Sequence, residues 1–358
     1  MKILCSDPPS SADTIAGNKD LLTEILLRLP PKPLVRFRSV SKDWCSLISS
    51  PRFCHRHARL SPAPKISGIF FRKSAADFHY LSLNSDNLSP NPFKFLDFAQ
   101  DPAGIRILQS CNGLLLCSSF FKIGFTRNYY VCNPTTGRFS TIPPIIGDVS
   151  AVVSGFNLAF EPSKSPYYKL ICVRSAAGSV GCHQIEIYSS ETGDWKLCGS
   201  PFVAPFDMVF NNGVFCNGSI HWISPTGSPM YFDVSNERIG MLPTVPIVEQ
   251  QSTRRFRYFG ESGGHLHLIE IYGPRTTQFR VLEMEKDYSK WVVREEKEED
   301  SSLLLHIPDK IISFNIRKKT FRELCHLSGN SSVNGKGRHS MQFGWLDAYQ
   351  YFESLACP

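Results

Sequence analysis

Hydrophobic positions along the chain change their period once, near residue 65. Before that point, Asp20 to Pro30 places Leu21, Leu22, Ile25, Leu26 and Leu29 at i, i+1, i+4, i+5 and i+8. That spacing gives one apolar face of a helix. Asn18 is a fitting N-cap, and Asp20 and Glu24 sit toward the positive end of the helix dipole. Pro30 and Pro31 stop the helix. A second helix is predicted over Pro33–Val40, with proline in its first turn, where the missing N–H costs nothing. A third fits Lys42–Ile48, with Ser41 as its cap and Val40, Trp44, Leu47 and Ile48 turned inward. Pro51, Arg52 and Phe53 begin a further short turn.

From about Ile66 the helical period gives way to short alternating strands separated by Gly, Pro, Asn and Asp. Two units recur. One is a strand, a polar turn and an apolar restart, as in Tyr130-Val131-Cys132-Asn133-Pro134-Thr135-Thr136-Gly137-Arg138-Phe139 and again in Ile187 to Trp195. Looser copies run from Tyr231 to Ile239, Leu282 to Trp291 and Ser313 to Phe321. Asn, Asp, Gly and Ser tolerate the tight backbone of such hairpins. The copies end at positions 139, 195, 239, 291 and 321, which are 56, 44, 52 and 30 residues apart. The other unit is Asn112-Gly113-Leu114, Asn217-Gly218-Ser219 and Gly263-Gly264-His265, which precedes three of these copies. A β-sandwich gives similar strands but no reason for paired turns at the length of a propeller blade. The expected fold is an α+β multidomain chain: a small three-helix N-terminal unit followed by an all-β, propeller-like domain of about six blades. Its parts are a polar, disordered lead at 1–17, the helical unit at 18–60, a proline-containing linker at 61–65 and the propeller at 66–328. The remainder, 329–358, reads as a polar mobile segment with a C-terminal strand or tail, and closure would pair strands near Ile69 to Leu83 with C-terminal ones.

Composition narrows the function classes. Formal net charge is +7, and nearly all of it lies in residues 1–65, which hold eleven Lys/Arg against five Asp/Glu. That suits an acidic partner for the helical unit. No stretch is apolar for the roughly 18 residues a membrane span needs, and the start carries Asp7, Pro8 and Asp13 where a signal peptide needs an apolar run. Twelve cysteines lie scattered without a CxxC pair, several within apolar runs, and read as small core hydrophobes of a reducing compartment. The expected location is cytoplasm, nucleus or both.

The ordered set Asp20-Leu21-Leu22-Thr23-Glu24-Ile25-Leu26-Leu27-Arg28-Leu29-Pro30, Leu34 to Ile48 and Ser50-Pro51-Arg52-Phe53 resembles the F-box. The likeness covers about 36 residues. It departs from the usual pattern at Asn18-Lys19, where Leu-Pro is common, and at Pro33, where a capping serine is common. The resemblance implies docking on a small acidic Skp-type adaptor and, through it, on a cullin. It assigns that interface to Leu21, Leu22, Ile25, Leu26, Leu29, Pro30, Leu34, Val35, Val40, Trp44 and Leu47. The later segments Ser110 to Cys117, Tyr130 to Gly137, Asn217 to Trp222 and Tyr351 to Cys357 resemble the F-box-associated β-propeller of plant F-box proteins. That resemblance implies a substrate receptor of an SCF-type ubiquitin ligase, the β-domain holding the target protein. It transfers no target-binding residues.

Candidates for other chemistry are weak. Cys54, His55 and His57 lack a second ligand pair at zinc spacing, and His265 and His267 share a strand face without a third ligand near in sequence. No GxSxG, P-loop, HExxH or GxGxxG occurs. Thr253 to Tyr258 interleaves arginine with aromatics, yet the β-domain is nearly neutral, so no nucleic-acid footprint is expected. Glu295 to Asp300 reads as a solvated loop. The expectation is a non-enzyme with no cofactor, metal, nucleic acid or membrane partner. The rivals are an F-box interaction protein acting outside proteolysis and a ligand-binding propeller.

Overall fold

The structure is a computed structural model that describes residues 17–61, 65–72, 78–83, 92, 104–119, 127–145, 152–176, 181–225, 228–246, 254–272, 278–293, 302–307, 310–315, 317–326 and 348–358. The lead at 1–16, the acidic run Glu295 to Asp300 and the Ser/Gly/Asn-rich stretch Gly329 to His339 lie outside these residues.

Among the described residues four helices come first: α1 (Lys19–Leu26), α2 (Pro31–Phe37), α3 (Lys42–Ser49) and α4 (Pro51–Leu60). Asn18 Oδ1 accepts from the N–H groups of Asp20 and Leu21 at 3.1 Å each, and Ser41 Oγ accepts from Trp44 N–H at 3.1 Å. Both sequence-derived caps are therefore made, each satisfying backbone donors that the first turn leaves free. The expected count of three helices is corrected to four, because the turn at Pro51 continues for ten residues. Ser50 Oγ caps it through Phe53 N–H at 3.2 Å, Pro51 occupies its first turn, and Phe53, Cys54 and His57 form its buried face. With only Phe53 and Cys54 as apolar groups on that face and a histidine completing it, the polar sequence PRFCHRHARL offers few of the apolar positions that announce a helix. The second helix starts at Pro31, two residues before the expected Pro33, and ends at Phe37 instead of Val40.

Six antiparallel sheets follow. The first contains β1 (Gly68–Arg72) and β2 (Phe78–Ser82); the second contains β3 (Ile105–Cys111), β4 (Leu114–Ser119), β5 (Tyr129–Asn133) and β6 (Arg138–Ile142). The third is β7 (Val153–Ala159), β8 (Lys169–Ser175), β9 (Cys182–Ser189) and β10 (Asp194–Val203). The fourth is β11 (Val214–Cys216), β12 (Ser219–Trp222), β13 (Met230–Asp233) and β14 (Arg238–Met241). The fifth is β15 (Arg254–Ser262), β16 (His265–Tyr272), β17 (Gln278–Met284) and β18 (Trp291–Val293), and the sixth is β19 (Ser302–Ile307), β20 (Lys310–Asn315) and β21 (Thr320–His326). The last strand, β22 (Ala348–Tyr351), returns to the first sheet and pairs with β1 in the register Gly68↔Tyr351 and Phe70↔Tyr349. The second to sixth sheets are meanders whose strands pair with their chain neighbours, and β22, β3, β7, β11 and β15 touch in that order around the axis. This is a six-bladed β-propeller closed by a strand from the far end of the chain, which removes a free edge.

The core lies between blades. Leu116, Val131, Phe156, Leu170 and Tyr188 fill the seam of the second and third, and Ile171, Ile187, Phe210, Trp222 and Phe232 the next. Cys111, Cys172 and Cys198 are buried in these seams, and Cys117, Cys132 and Cys216 in the seams on either side. Because strands alternate in direction, first-to-second and third-to-fourth turns emerge at the same end of the barrel. Both recurring sequence units fall on that end. Asn112 and Gly113 have φ of 46° and 91°, and Asn217 and Gly218 have 49° and 79°. Positive φ at both central residues fits a two-residue hairpin, and asparagine and glycine tolerate it best.

His221 joins the fourth and fifth blades. It is fully buried, with Nε2 2.7 Å from Tyr288 Oη and Nδ1 3.1 Å from the Val214 carbonyl. Burial pushes its pKa down to about 4, so the fold binds the neutral ring and the unfolded chain binds the proton more readily. The resulting stabilisation is complete above the unfolded value of about 6.5 and is lost as pH falls from there toward 4. Denaturation midpoints measured across that range are expected to drop by an amount worth about 3 kcal/mol. His221→Gln should flatten the dependence; an unchanged profile in that variant would count against His221 as its source.

Candidate functional site

The end of the propeller that carries the paired turns meets the helical unit, and residues 352–358 run between the two. Asn133, fully buried at the close of β5, organises this segment. Its Oδ1 accepts from Thr135 N–H at 2.9 Å and Thr136 N–H at 3.4 Å, shaping the turn. Its Nδ2 donates to the carbonyls of Ser354 at 3.0 Å and Ala356 at 2.8 Å. Thr135 Oγ1 accepts from Ser354 N–H at 3.1 Å, and Ser140 Oγ donates to the Pro358 carbonyl at 2.9 Å. In an extended chain, successive side chains point to opposite sides. Leu355 accordingly enters the helical core with Leu22, Leu26, Leu34, Ile48 and Phe53, while Ala356 enters the propeller core. The segment acts as a clasp shared by two cores.

Side contacts support it. Lys32 Nζ lies 2.7 Å from Glu353 Oε1, His55 Nδ1 3.0 Å from the Pro162 carbonyl, and Arg138 Nη2 donates to Ser49 Oγ at 3.2 Å. Gly113 is required by the same passage. A Cβ there would stand 2.4 Å from Ser354 Cβ, whereas one at Gly218 would meet nothing within 4 Å. Gly113→Ala is expected to cost about 2–3 kcal/mol, and Gly218→Ala only about 1 kcal/mol for its positive φ. Equal losses in urea denaturation would contradict the close passage.

The structure separates the eleven predicted adaptor residues into inner and outer sets. Leu22, Leu26 and Leu34 are buried within the helical unit. Leu29, Val35, Trp44 and Leu47 are half-buried against that core. Leu21, Ile25 and Val40 are 50%, 47% and 58% exposed, and Pro30 is exposed. Leu21, Ile25 and Leu29 form a stripe at i, i+4 and i+8, while Leu22 and Leu26, one residue on, turn inward by about 100° per residue. Lys19, Arg28, Arg36, Lys42, Arg52 and Arg59 are exposed on the same unit.

Beneath α1 and α4 a cavity of about 1470 Å³ continues toward the propeller axis, walled by β3, β11, β15 and β22. Glu261 lies in its wall with its carboxyl pushed up by burial, one oxygen accepting from Gly264 N–H at 2.7 Å. The opposite end of the barrel faces away from the helices. There Val152 precedes β7, Val203 closes β10, and Phe206 follows it; they are 68%, 73% and 98% exposed.

The other candidates take structural places. His57 Nε2 lies 2.8 Å from the Leu29 carbonyl, so Cys54, His55 and His57 serve three different contacts. His265 and His267 converge on Glu283, supplied across the sheet from β17, at 2.8 and 3.3 Å. Among the described residues, no group of three His, Cys, Asp or Glu is arranged to hold a metal ion. Arg254 to Tyr258 belongs to β15, beside the axis. No helix among the described residues is long and apolar enough to cross a membrane. The sequence reading missed the clasp. Its two halves, the Asn-Pro-Thr-Thr-Gly turn and the Tyr-Phe-Glu-Ser-Leu-Ala-Cys ending, are visible separately, but nothing in the sequence pairs them.

Comparison with known proteins agrees with this architecture. The F-box domain model matches residues 18–56, and the F-box associated beta propeller domain model matches residues 87–263. An Arabidopsis thaliana F-box protein is 32% identical over 97% of this chain and 94% of its own length. The Arabidopsis thaliana F-box only protein 8 is 30% identical over 63% of this chain and 78% of its own. An F-box/kelch-repeat protein of the same plant is 27% identical over 63% and 59% respectively. With a helical unit and a six-bladed propeller joined by one clasp, the chain belongs to the F-box proteins that carry an F-box associated β-propeller domain.

Proposed function

We propose that this protein is a substrate receptor of an SCF-type ubiquitin ligase. In this reading, the F-box docks on a Skp-type adaptor bound to a cullin, and the propeller presents a target protein. The carrying observation is the outward stripe of Leu21 and Ile25 with Val40 nearby, on a unit whose Leu22, Leu26 and Leu34 are already used inside. Apolar side chains left outside a folded core favour a partner. The exposed lysines and arginines around them suit an acidic one. Ubiquitin transfer needs a charged conjugating enzyme, so this chain contributes proximity, raising the effective concentration of target lysines. Because the helices cover one end of the barrel, the opposite end with Val152, Val203 and Phe206 is the surface offered to the target. The work belongs to the cytoplasm or nucleus.

Affinity purification of the full chain with the proteasome inhibited tests this reading. Adaptor, cullin and a target carrying ubiquitin should co-purify. Adaptor without cullin would instead support a role outside proteolysis, and absence of the adaptor would overturn both. A ligand-binding propeller is the second reading, favoured by the cavity beneath the F-box. Native mass spectrometry of the purified chain checks it through a retained small-molecule mass.

A further inference from the structure

The seam between F-box and propeller contains a thiol pair that neither partner-binding surface uses. Cys54, on α4, and Cys357, in the clasp, place their sulfurs 4.0 Å apart although 303 positions separate them in the chain. Cys54 is buried and also contacts the Ile48 carbonyl at 3.5 Å. Cys357 is half-buried, contacts the Ser49 carbonyl at 3.7 Å, and with Cys54 lines the cavity beneath the F-box. Two cations face the pair. Arg138, which donates to Ser49 Oγ, and Arg38 both stand beside the thiols, Arg38 with its Nε and Nη2 buried and lacking a hydrogen-bond partner among the described residues.

These surroundings favour an anion on one sulfur only. The hydrogen bond from Cys54, followed by Arg138 and Arg38, holds the Cys357 thiol well below its ordinary pKa against the cost of burial. The same hydrogen bond, with burial, pushes Cys54 well above its own. One nucleophilic thiolate beside one resolving thiol is the arrangement of a redox-sensitive pair.

We propose that Cys54 and Cys357 are a modification site at which a peroxide closes a disulfide, locking the F-box to the propeller clasp. The Cys357 thiolate attacks one peroxide oxygen and the O–O bond breaks. The departing hydroxide takes a proton to become water, leaving a sulfenic acid on Cys357. Cys54 then gives up its proton, and its sulfur attacks the Cys357 sulfur. Hydroxide leaves and takes that proton as the second water, so two thiols supply the two electrons that reduce the peroxide. The sulfurs must close from 4.0 Å to about 2 Å, a shift that falls to the half-buried Cys357 because Cys54 is held in α4. The cross-link spans the joint already made by Leu355 and the Lys32–Glu353 pair, and so fixes the F-box face relative to the far end of the propeller. This holds whichever proteins bind those two surfaces.

The test uses the reduced full chain, treated with near-stoichiometric hydrogen peroxide, blocked with iodoacetamide and mapped by mass spectrometry without reductant. A Cys54–Cys357 cross-linked peptide is expected as the main product. Cys357→Ser should abolish it, and Cys54→Ser should stop the reaction at a sulfenic acid on Cys357 that a cyclic dione captures. In the untreated wild type at pH 7, iodoacetamide should label Cys357 about tenfold faster than the half-buried Cys182. The oxidised chain should melt at a higher temperature than the reduced one, a difference that Cys357→Ser removes. Oxidation of other cysteines with Cys357 left untouched, or labelling of Cys357 no faster than Cys182, overturns the site. A cross-link that leaves the melting temperature unchanged overturns the lock.

Discussion

Ile25→Asp is expected to weaken binding of the Skp-type adaptor by at least about 100-fold while leaving the protein folded. Burying an isoleucine contributes about 1.5–3 kcal/mol, and forcing a carboxylate into an apolar interface costs several more, so a loss above about 2.7 kcal/mol follows. Ile25 is 47% exposed, and its replacement disturbs no core. Leu26→Asp provides the contrast. Leu26 is 1% exposed among Leu22, Leu34, Ile48 and Leu355, so an aspartate there places an unpaired charge in the helical core and unfolds it. Both variants lose the adaptor, but only Leu26→Asp should alter Trp44 fluorescence and open the F-box to limited proteolysis. Titration calorimetry with purified adaptor measures the first effect. Native affinity in Ile25→Asp would falsify the assignment of that stripe to the interface.

The second large effect is expected at Asn133. Its fully buried side chain meets two backbone donors of its own turn and two carbonyls of the clasp. Asn133→Leu leaves these groups unpaired, and with about 1–3 kcal/mol for each buried one, a loss of about 3–5 kcal/mol is expected. Asn133→Asp separates the two tasks. It keeps the acceptor for Thr135 and Thr136 but turns an oxygen toward the carbonyls of Ser354 and Ala356. If the clasp is what matters, Asp should be as damaging as Leu, and hydrogen exchange should quicken across β22 and residues 352–358 in both. A nearly native Asn133→Asp would show that only the turn needs this residue.

The Asn133 contacts also show why the site was only partly legible. The turn Asn133 to Gly137 is a local event: the side chain bonds backbone two and three residues on, so its sequence announces it. The partner carbonyls at Ser354 and Ala356 lie more than two hundred residues away and are bonded through their backbone, which any residue type carries. The helices follow the same division. α1 and α3 were readable because Asn18, Ser41 and an apolar stripe act within a turn or two. α4 was not, because its buried face contains a histidine whose partner is the Leu29 carbonyl on another segment.

By itself, then, the sequence determined the helical unit with its caps, the change of period near residue 65, the hairpin turns at both recurring units and a blade number of about six. Those depend on backbone preferences and periodicities that act within about ten residues. Only the tertiary structure decided that Leu22, Leu26 and Leu34 face inward while Leu21, Ile25 and Val40 face out, because a continuous leucine-rich face does not say which edge another element will cover. The sequence also led to the closure of the first blade by a C-terminal strand, but only the tertiary structure fixed the register of β22 on β1, drew residues 352–358 between two cores and set Cys54 against Cys357. Such pairings depend on where the whole barrel returns the chain, and no local preference encodes that position.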